Sequence, residues 1–242
     1  MAIIKDRDLL NADGSIPIIL ISKCLEEHKK MTDRYKKLYD YYDGEHKIIG
    51  RTFSNSQLPN NKLVCNHAEY ITDMAVGYVF GTPISYSGPG LDELNSIFTE
   101  IDEDSHNNEL ALDLSIFGVG YELVYMNNND VPYPELAIVS PLNGFVVADS
   151  TVKHEPMFAV TFFEKKDIEG TAKGFDVTVY THTEVIKYFF KSLTDKAAVE
   201  TERYFHYFDG IQIIEYKNKK TLKGDFEGVI SLIDAYNLLQ QR

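Results

Sequence analysis

The chain has 242 residues, of which 44% are hydrophobic and 25% charged, and a formal net charge of −13. That composition fits a globular chain with a sizeable core, as one large domain or two small ones. A chain this acidic has the wrong balance to grip nucleic acid through its phosphates, because that affinity comes from Lys and Arg displacing counterions. No run of about 18 apolar residues is present, so no membrane partner is expected.

The first predicted helix begins near Pro17, a favoured first-turn residue after Ser15, and runs to about Tyr41. Ile18, Ile21, Leu25, His28, Met31, Tyr35 and Leu38 form its apolar stripe. A polar loop from Gly50 to Asn61 follows, with Asn60-Asn61 as a turn signal. Asn66 and Glu69 then stand three apart, the pattern of a capping box. Beyond them Ile71, Met74, Ala75, Tyr78 and Val79 recur at helical spacing, so one face of this helix is apolar. Gly81 is expected in the left-handed conformation that ends a helix, and Pro83 prevents its resumption. Ser87-Gly88-Pro89-Gly90 breaks the chain before two amphipathic helices, Leu91 to Ile101 and about Ser105 to Phe117.

The second half reads as strands: Tyr121 to Met126, Leu136 to Val139, Phe145 to Ala148, Met157 to Glu164, Phe175 to Thr181, Glu184 to Lys191, Arg203 to Phe208 and Ile211 to Glu215. Asn127 to Asp130 and Asp167 to Gly174 are their turns, and Val177 and Val179 alternate with polar neighbours as in a sheet with one solvated face. The expected fold class is therefore α+β, helix-rich first and mostly antiparallel β after. Asp225 reads as the N-cap of a last helix on which Phe226, Val229, Ile230, Ile233, Tyr236 and Leu239 form an apolar stripe. Its stripe is still open at Gln241-Arg242, which leads us to expect a truncated form.

A search for chemistry finds little. The seven histidines are scattered with no pair at metal-binding spacing. Glu100, Asp102, Glu103 and Asp104 could meet a hard cation, but they lack the glycine and spaced ligands of a calcium loop, and Asp104 more simply caps the next helix. Gly118-Val119-Gly120 follows a helix and precedes a strand, the reverse of a dinucleotide site, so these glycines are expected to end the helix. No phosphate loop of the G-x-x-x-x-G-K-[ST] type occurs. Ser115 and Ser140 lack a nucleophile-elbow context, and Cys65 and His67 are two apart on a helix and so diverge. Cys24 and Cys65 make neither a disulfide framework nor a metal site, and Met1 to Asp6 lacks a signal peptide's apolar core; a reducing cytoplasm is expected. No catalytic residue, cofactor or metal is expected, and the chain is read as a non-enzyme. Two rivals stay open: a small acidic metal-dependent hydrolase built on Glu100 to Asp104, and a monomeric cytoplasmic binding module with aromatics lining a pocket.

The 16 tyrosines and 14 phenylalanines serve a core that has no Trp, and some suit subunit contacts, where Tyr is enriched. Tyr41 and Tyr42 cannot both point the same way; with Tyr78 they are the candidate interface residues. Lys217, Lys219 and Lys220 form a compact basic cluster, a candidate contact for DNA or for a neighbouring acidic subunit.

Three motifs in shared order carry a resemblance. They are Tyr41-Tyr42 with Gly44 and His46; Asn60 to Val64 with Asn66; and Val76-Gly77-Tyr78 with Gly81 and Pro83. Gly118 to Glu122, Ile214 to Tyr216, Gly224 to Glu227 and Ser231 to Asn237 extend it over nearly the whole chain. The sequence resembles portal proteins of tailed bacteriophages, in the group found in long-tailed phages of Gram-positive bacteria. The resemblance implies a structural subunit that assembles, when full length, as a cyclic and dodecameric homo-oligomer at one capsid vertex. Double-stranded DNA would pass through it without tight binding, past walls whose acidity repels the duplex. Capsid protein, the terminase and a head–tail adaptor are the implied partners, the virion the implied location, and the host bacterial cytoplasm the place of assembly. It further implies that residues 1–224 are a wing-like domain, helical to about 120 and β-rich from about 121. Residues 225–242 would begin a helix leading to a missing stem and clip.

Overall fold

The computed structural model describes residues 2–52, 61–127, 130 and 132–240. Most of the loop expected from Gly50 to Asn61, Asn128-Asn129 of the predicted turn, and Gln241-Arg242 lie outside these residues. The described chain is α+β, with five helices and two sheets. In order these are β1 (Ile3–Lys5), α1 (Ile18–Tyr42), α2 (His67–Phe80), α3 (Asp92–Glu100), α4 (Glu103–Phe117), β2 (Val119–Met126), β3 (Pro134–Val139), β4 (Gly144–Asp149), β5 (Pro156–Lys166), β6 (Ala172–Tyr180), β7 (Glu184–Phe190), β8 (Val199–Phe205), β9 (Ile213–Lys217) and α5 (Ile230–Leu239). The chain divides into two compact units, Met1–Asp33 with Tyr121–Tyr216, and Arg34–Gly120 with Lys217–Arg242.

The first unit holds both sheets. Its six-stranded sheet runs β1-β4-β5-β6-β7-β8, antiparallel except where β1 pairs parallel with β4. Period-two alternation puts Val177 and Val179 inward, with Val177 opposite Phe162 on one side and Tyr188 on the other. The first half of α1 covers this face: Leu20, Ile21, Cys24 and Leu25 belong to one buried cluster with Phe145, Phe158, Val160 and Phe190. Each such side chain contributes about 1.5–3 kcal/mol on burial. His28, one turn further along α1, is buried with its ring stacked on Phe145 at 5.0 Å, and its Nε2–H donates to Pro141 O at 2.9 Å. Burial lowers its pKa to about 4, so it is held neutral. At the end of β4, Asp149 accepts from Thr151 Oγ1 (2.7 Å), Arg7 Nε (2.8 Å) and the Glu155 amide (3.0 Å). The Thr151 bonds and Arg7 hold its carboxyl down to about 2. The second sheet is β3-β2-β9.

The second unit is helical. Tyr35 meets Phe117 edge to face at 5.7 Å, and Leu38, Ile48, Ala68, Leu110, Ile116, Phe226, Ile230 and Ile233 are buried. The N-cap forms as expected, with Asn66 Oδ1 accepting from the Glu69 amide. Glu69 Oε2, however, accepts from Asn66 Nδ2 and not from the Asn66 backbone amide, so the reciprocal bond of a capping box is replaced by a side-chain one. Gly118 ends α4 at φ +81, its amide on Leu114 O.

Three expectations need correction. Gly81 is right-handed, at φ −65; what requires glycine there is close approach, because a Cβ would strike Gly77 O. The residue at the start of α4 is Asp102, at φ +52, and Asp104 lies inside the first turn, where a carboxylate favours the helix's positive end without capping it. Asp225 does not cap the last helix, which begins at Ile230 after a single tight turn over Glu227–Val229. Helix α2 carries the expected apolar stripe, but its buried residues are Ala68 and Thr72, and Met74, Tyr78 and Val79 of the stripe are exposed. The buried residues are thus small, and the large apolar ones face outward.

Candidate functional site

The residues that set this sequence apart converge in the second unit, around the end of α1. The helix stops as Gly44 takes φ +86, a conformation open to glycine, and the chain reverses into a tight turn over Lys47–Gly50. This reversal folds His46 back under Tyr41, with the two rings stacked at 4.8 Å. His46 Nε2 lies 3.0 Å from Tyr41 O, which can only accept, so Nε2 carries the proton. Its other nitrogen, Nδ1, then accepts from Asn237 Nδ2 at 2.7 Å. Asn237 Oδ1 in turn accepts from the Cys65 amide at 2.9 Å, which fixes the orientation of the side-chain amide independently. Asn237 has 0% exposure. One buried asparagine thus ties together the end of α1, the approach to α2, and α5.

Around that link the polar groups satisfy each other. The Tyr41 hydroxyl donates to Asp234 Oδ1 at 2.6 Å, and Lys47 pairs with Asp234 Oδ2 at 3.3 Å. Burial, with Asp234 adding to it, raises the Tyr41 hydroxyl above its ordinary range. Asn66 Nδ2 donates to Tyr42 O at 2.8 Å. Tyr42 itself sends its hydroxyl toward Asp73 at 3.3 Å and is pushed up to about 12 by burial and by that carboxylate.

A second tie lies alongside. The Arg34 guanidinium grips Glu227 with two bonds, Nε to Oε1 at 2.8 Å and Nη2 to Oε2 at 2.6 Å, and also donates to Phe117 O and Leu222 O. Burial pushes the Glu227 carboxyl upward, but Arg34, the Gly224 amide and Lys223 together more than offset it, leaving the group below its ordinary range. Asp225 accepts from Ser115 Oγ at 2.8 Å, and the Asp225 amide donates to Ser115 O. Gly224 packs against the backbone of Ser115 and Ile116 so closely that a Cβ would collide with both carbonyls.

The sequence-predicted residues separate. Tyr41 is 2% exposed and turned into the knot, Tyr42 is half-buried, and Tyr78 is 91% exposed. Lys217, Lys219 and Lys220 are exposed, with Lys219 paired to Asp225 at 3.2 Å. Of the acidic run, Glu103 accepts from the Tyr86 hydroxyl and from Asn107. Among the described residues no three His, Cys, Asp or Glu side chains group as a metal site, and no helix is long and apolar enough to cross a membrane. Sequence reasoning missed the roles of Arg34, Asp234 and Asn237. Asn237 did leave a signal, a polar residue one turn beyond Ile233 on the face that holds Ile230 and Ile233 inward.

The interlocked arrangement fixes backbone segments to one another. The sequence matches the phage portal protein family described as SPP1 Gp6-like over residues 21–241. The chain belongs to that phage portal family. No curated protein matches it. The motifs of this portal chain can now be understood physically: Tyr41, Gly44, His46 and Asn66 hold the end of α1 to the start of α2, while Gly224 and Glu227 hold the approach to α5. Its role is structural, as a component of the phage portal.

Proposed function

We propose that this portal chain is the wing-like part of a subunit that closes into a ring at one capsid vertex, dodecameric when complete, through which double-stranded DNA passes. The observation that carries this reading is the family match across residues 21–241. The net charge of −13 supports a wall along which a duplex slides, since like charge opposes adhesion. Residues 1–224 would form the wing and α5 would lead on toward a stem and clip. Capsid protein, the terminase and a head–tail adaptor are the partners such a ring would meet, after assembly in the host bacterial cytoplasm. Energy for DNA movement would come from the separate packaging ATPase, and the ring itself would act passively. Light scattering coupled to size exclusion tests this on the chain expressed within its complete reading frame. The expected result is one species of fixed, high subunit number; a monomer at every concentration would refute it.

A further inference from the structure

Helix α2 is apolar on two opposite sides, and only one of them is covered. Ala68 and Thr72 are buried, while Tyr70, Met74 and Tyr78, spaced by one turn on the other side, are 63%, 58% and 91% exposed. The apolar surface continues onto α5, where Tyr236 meets the edge of His67 at 5.0 Å and Leu232 and Leu239 are exposed. A contiguous exposed apolar surface marks a contact site, and Tyr and Met are enriched at the centres of such contacts.

Charge identifies the occupant. From Leu63 to Gly120 there is no lysine or arginine, and there are ten aspartates and glutamates, with Glu69 and Asp73 on α2 itself. Two copies cannot pair through this face with itself, because carboxylates would oppose carboxylates. The complementary surface must be basic and partly apolar. The same unit carries one with an excess of one positive charge: a groove of about 450 Å³ between α1 and α5, lined by Arg34, Lys37 and Lys47, by Glu227 and Asp234, and by Leu38 and Ile230. Arg34 and Lys47 are paired to Glu227 and Asp234, whereas Lys37, which lies over the Tyr41 ring, has no carboxylate partner among the described residues. The two surfaces lie on opposite flanks of α5, since Tyr236 faces α2 on one side and Ser231 and Asp234 line the groove on the other.

We infer that the Tyr70–Met74–Tyr78 face of one copy docks, head to tail, on the Lys37 side of this groove in a second copy. The inference rests on the portal-ring reading and deepens it: a contact between two different surfaces propagates from copy to copy and closes into a ring when the rotation allows.

Sedimentation velocity on the chain in its complete reading frame tests it, using Tyr78→Ala, Asp73→Lys, Lys37→Glu and the double charge swap, with circular dichroism confirming that each variant folds. The wild type should associate, more weakly as salt rises. Each single substitution should weaken association at least tenfold, and Asp73→Lys with Lys37→Glu together should recover most of the loss. If the wild type assembles and the single variants match it, or if the double swap restores nothing, this interface is wrong while the ring reading stands. A wild type that remains monomeric overturns both.

Discussion

Replacing Asn237 by alanine is the sharpest perturbation of the knot. The substitution removes the acceptor of the Cys65 amide and the donor to His46 Nδ1, from a side chain with no exposure. A buried polar group left without a partner costs about 1–3 kcal/mol. The Cys65 amide, in a half-buried residue, falls at the lower end, so the pair gives about 2–4 kcal/mol. At about 2–4 °C per kcal/mol for a chain of this size, the melting temperature should fall by roughly 5–15 °C. Urea denaturation of wild type, Asn237→Ala, His46→Phe and the double variant measures both the loss and its origin. The double variant should lose about 1–2 kcal/mol less than the sum of the singles, because either substitution alone breaks the same bond. An Asn237→Ala loss of about 0.5 kcal/mol or less, the size of a surface change, would refute the reasoning.

Acid should act in two stages. Because the native pKa of His28 is depressed to about 4 from 6.5, the unfolded chain takes up its proton first, and stability should fall as pH drops from about 6.5 to 4, by about 3 kcal/mol in all. His28→Leu should flatten that slope; an unchanged slope in denaturation series would contradict it. Asp149, held down to about 2, contributes stability that is complete above the ordinary carboxylate range and lost as pH falls toward 2. Asp149→Asn should therefore destabilise at pH 7 and converge on the wild type at pH 2. Gly224→Ala, which drives a methyl into the Ser115 and Ile116 carbonyls, should cost several kcal/mol, as measured by thermal melting, whereas Gly228→Ala, which meets open space, should cost under about 1 kcal/mol.

Much of the fold was legible because its signals are local. The stripe of α1, the Asn66 cap and the alternation around Val177 and Val179 each declare themselves within a few residues. Strand β1 was missed because three residues are too few to show a period, and it exists through its parallel pairing with β4 some 140 residues later. Periodicity also located the apolar face of α2 without saying what covers it, which is why Met74 and Tyr78 emerged on the surface. Asp225 looked like a cap because aspartate favours that position, but Ser115, Asn218 and Lys219 claim its carboxylate. The ties Arg34–Glu227 and His46–Asn237 join residues more than 190 apart in the chain, and no local pattern announces such partners. The shared order of the motifs showed the family, while their physical purpose became visible only in the fold.

Negative-stain electron microscopy of the purified portal protein tests the ring most directly. The account predicts closed rings of uniform diameter with a stain-filled central hole. A field of single, compact particles at concentrations well above micromolar would contradict it.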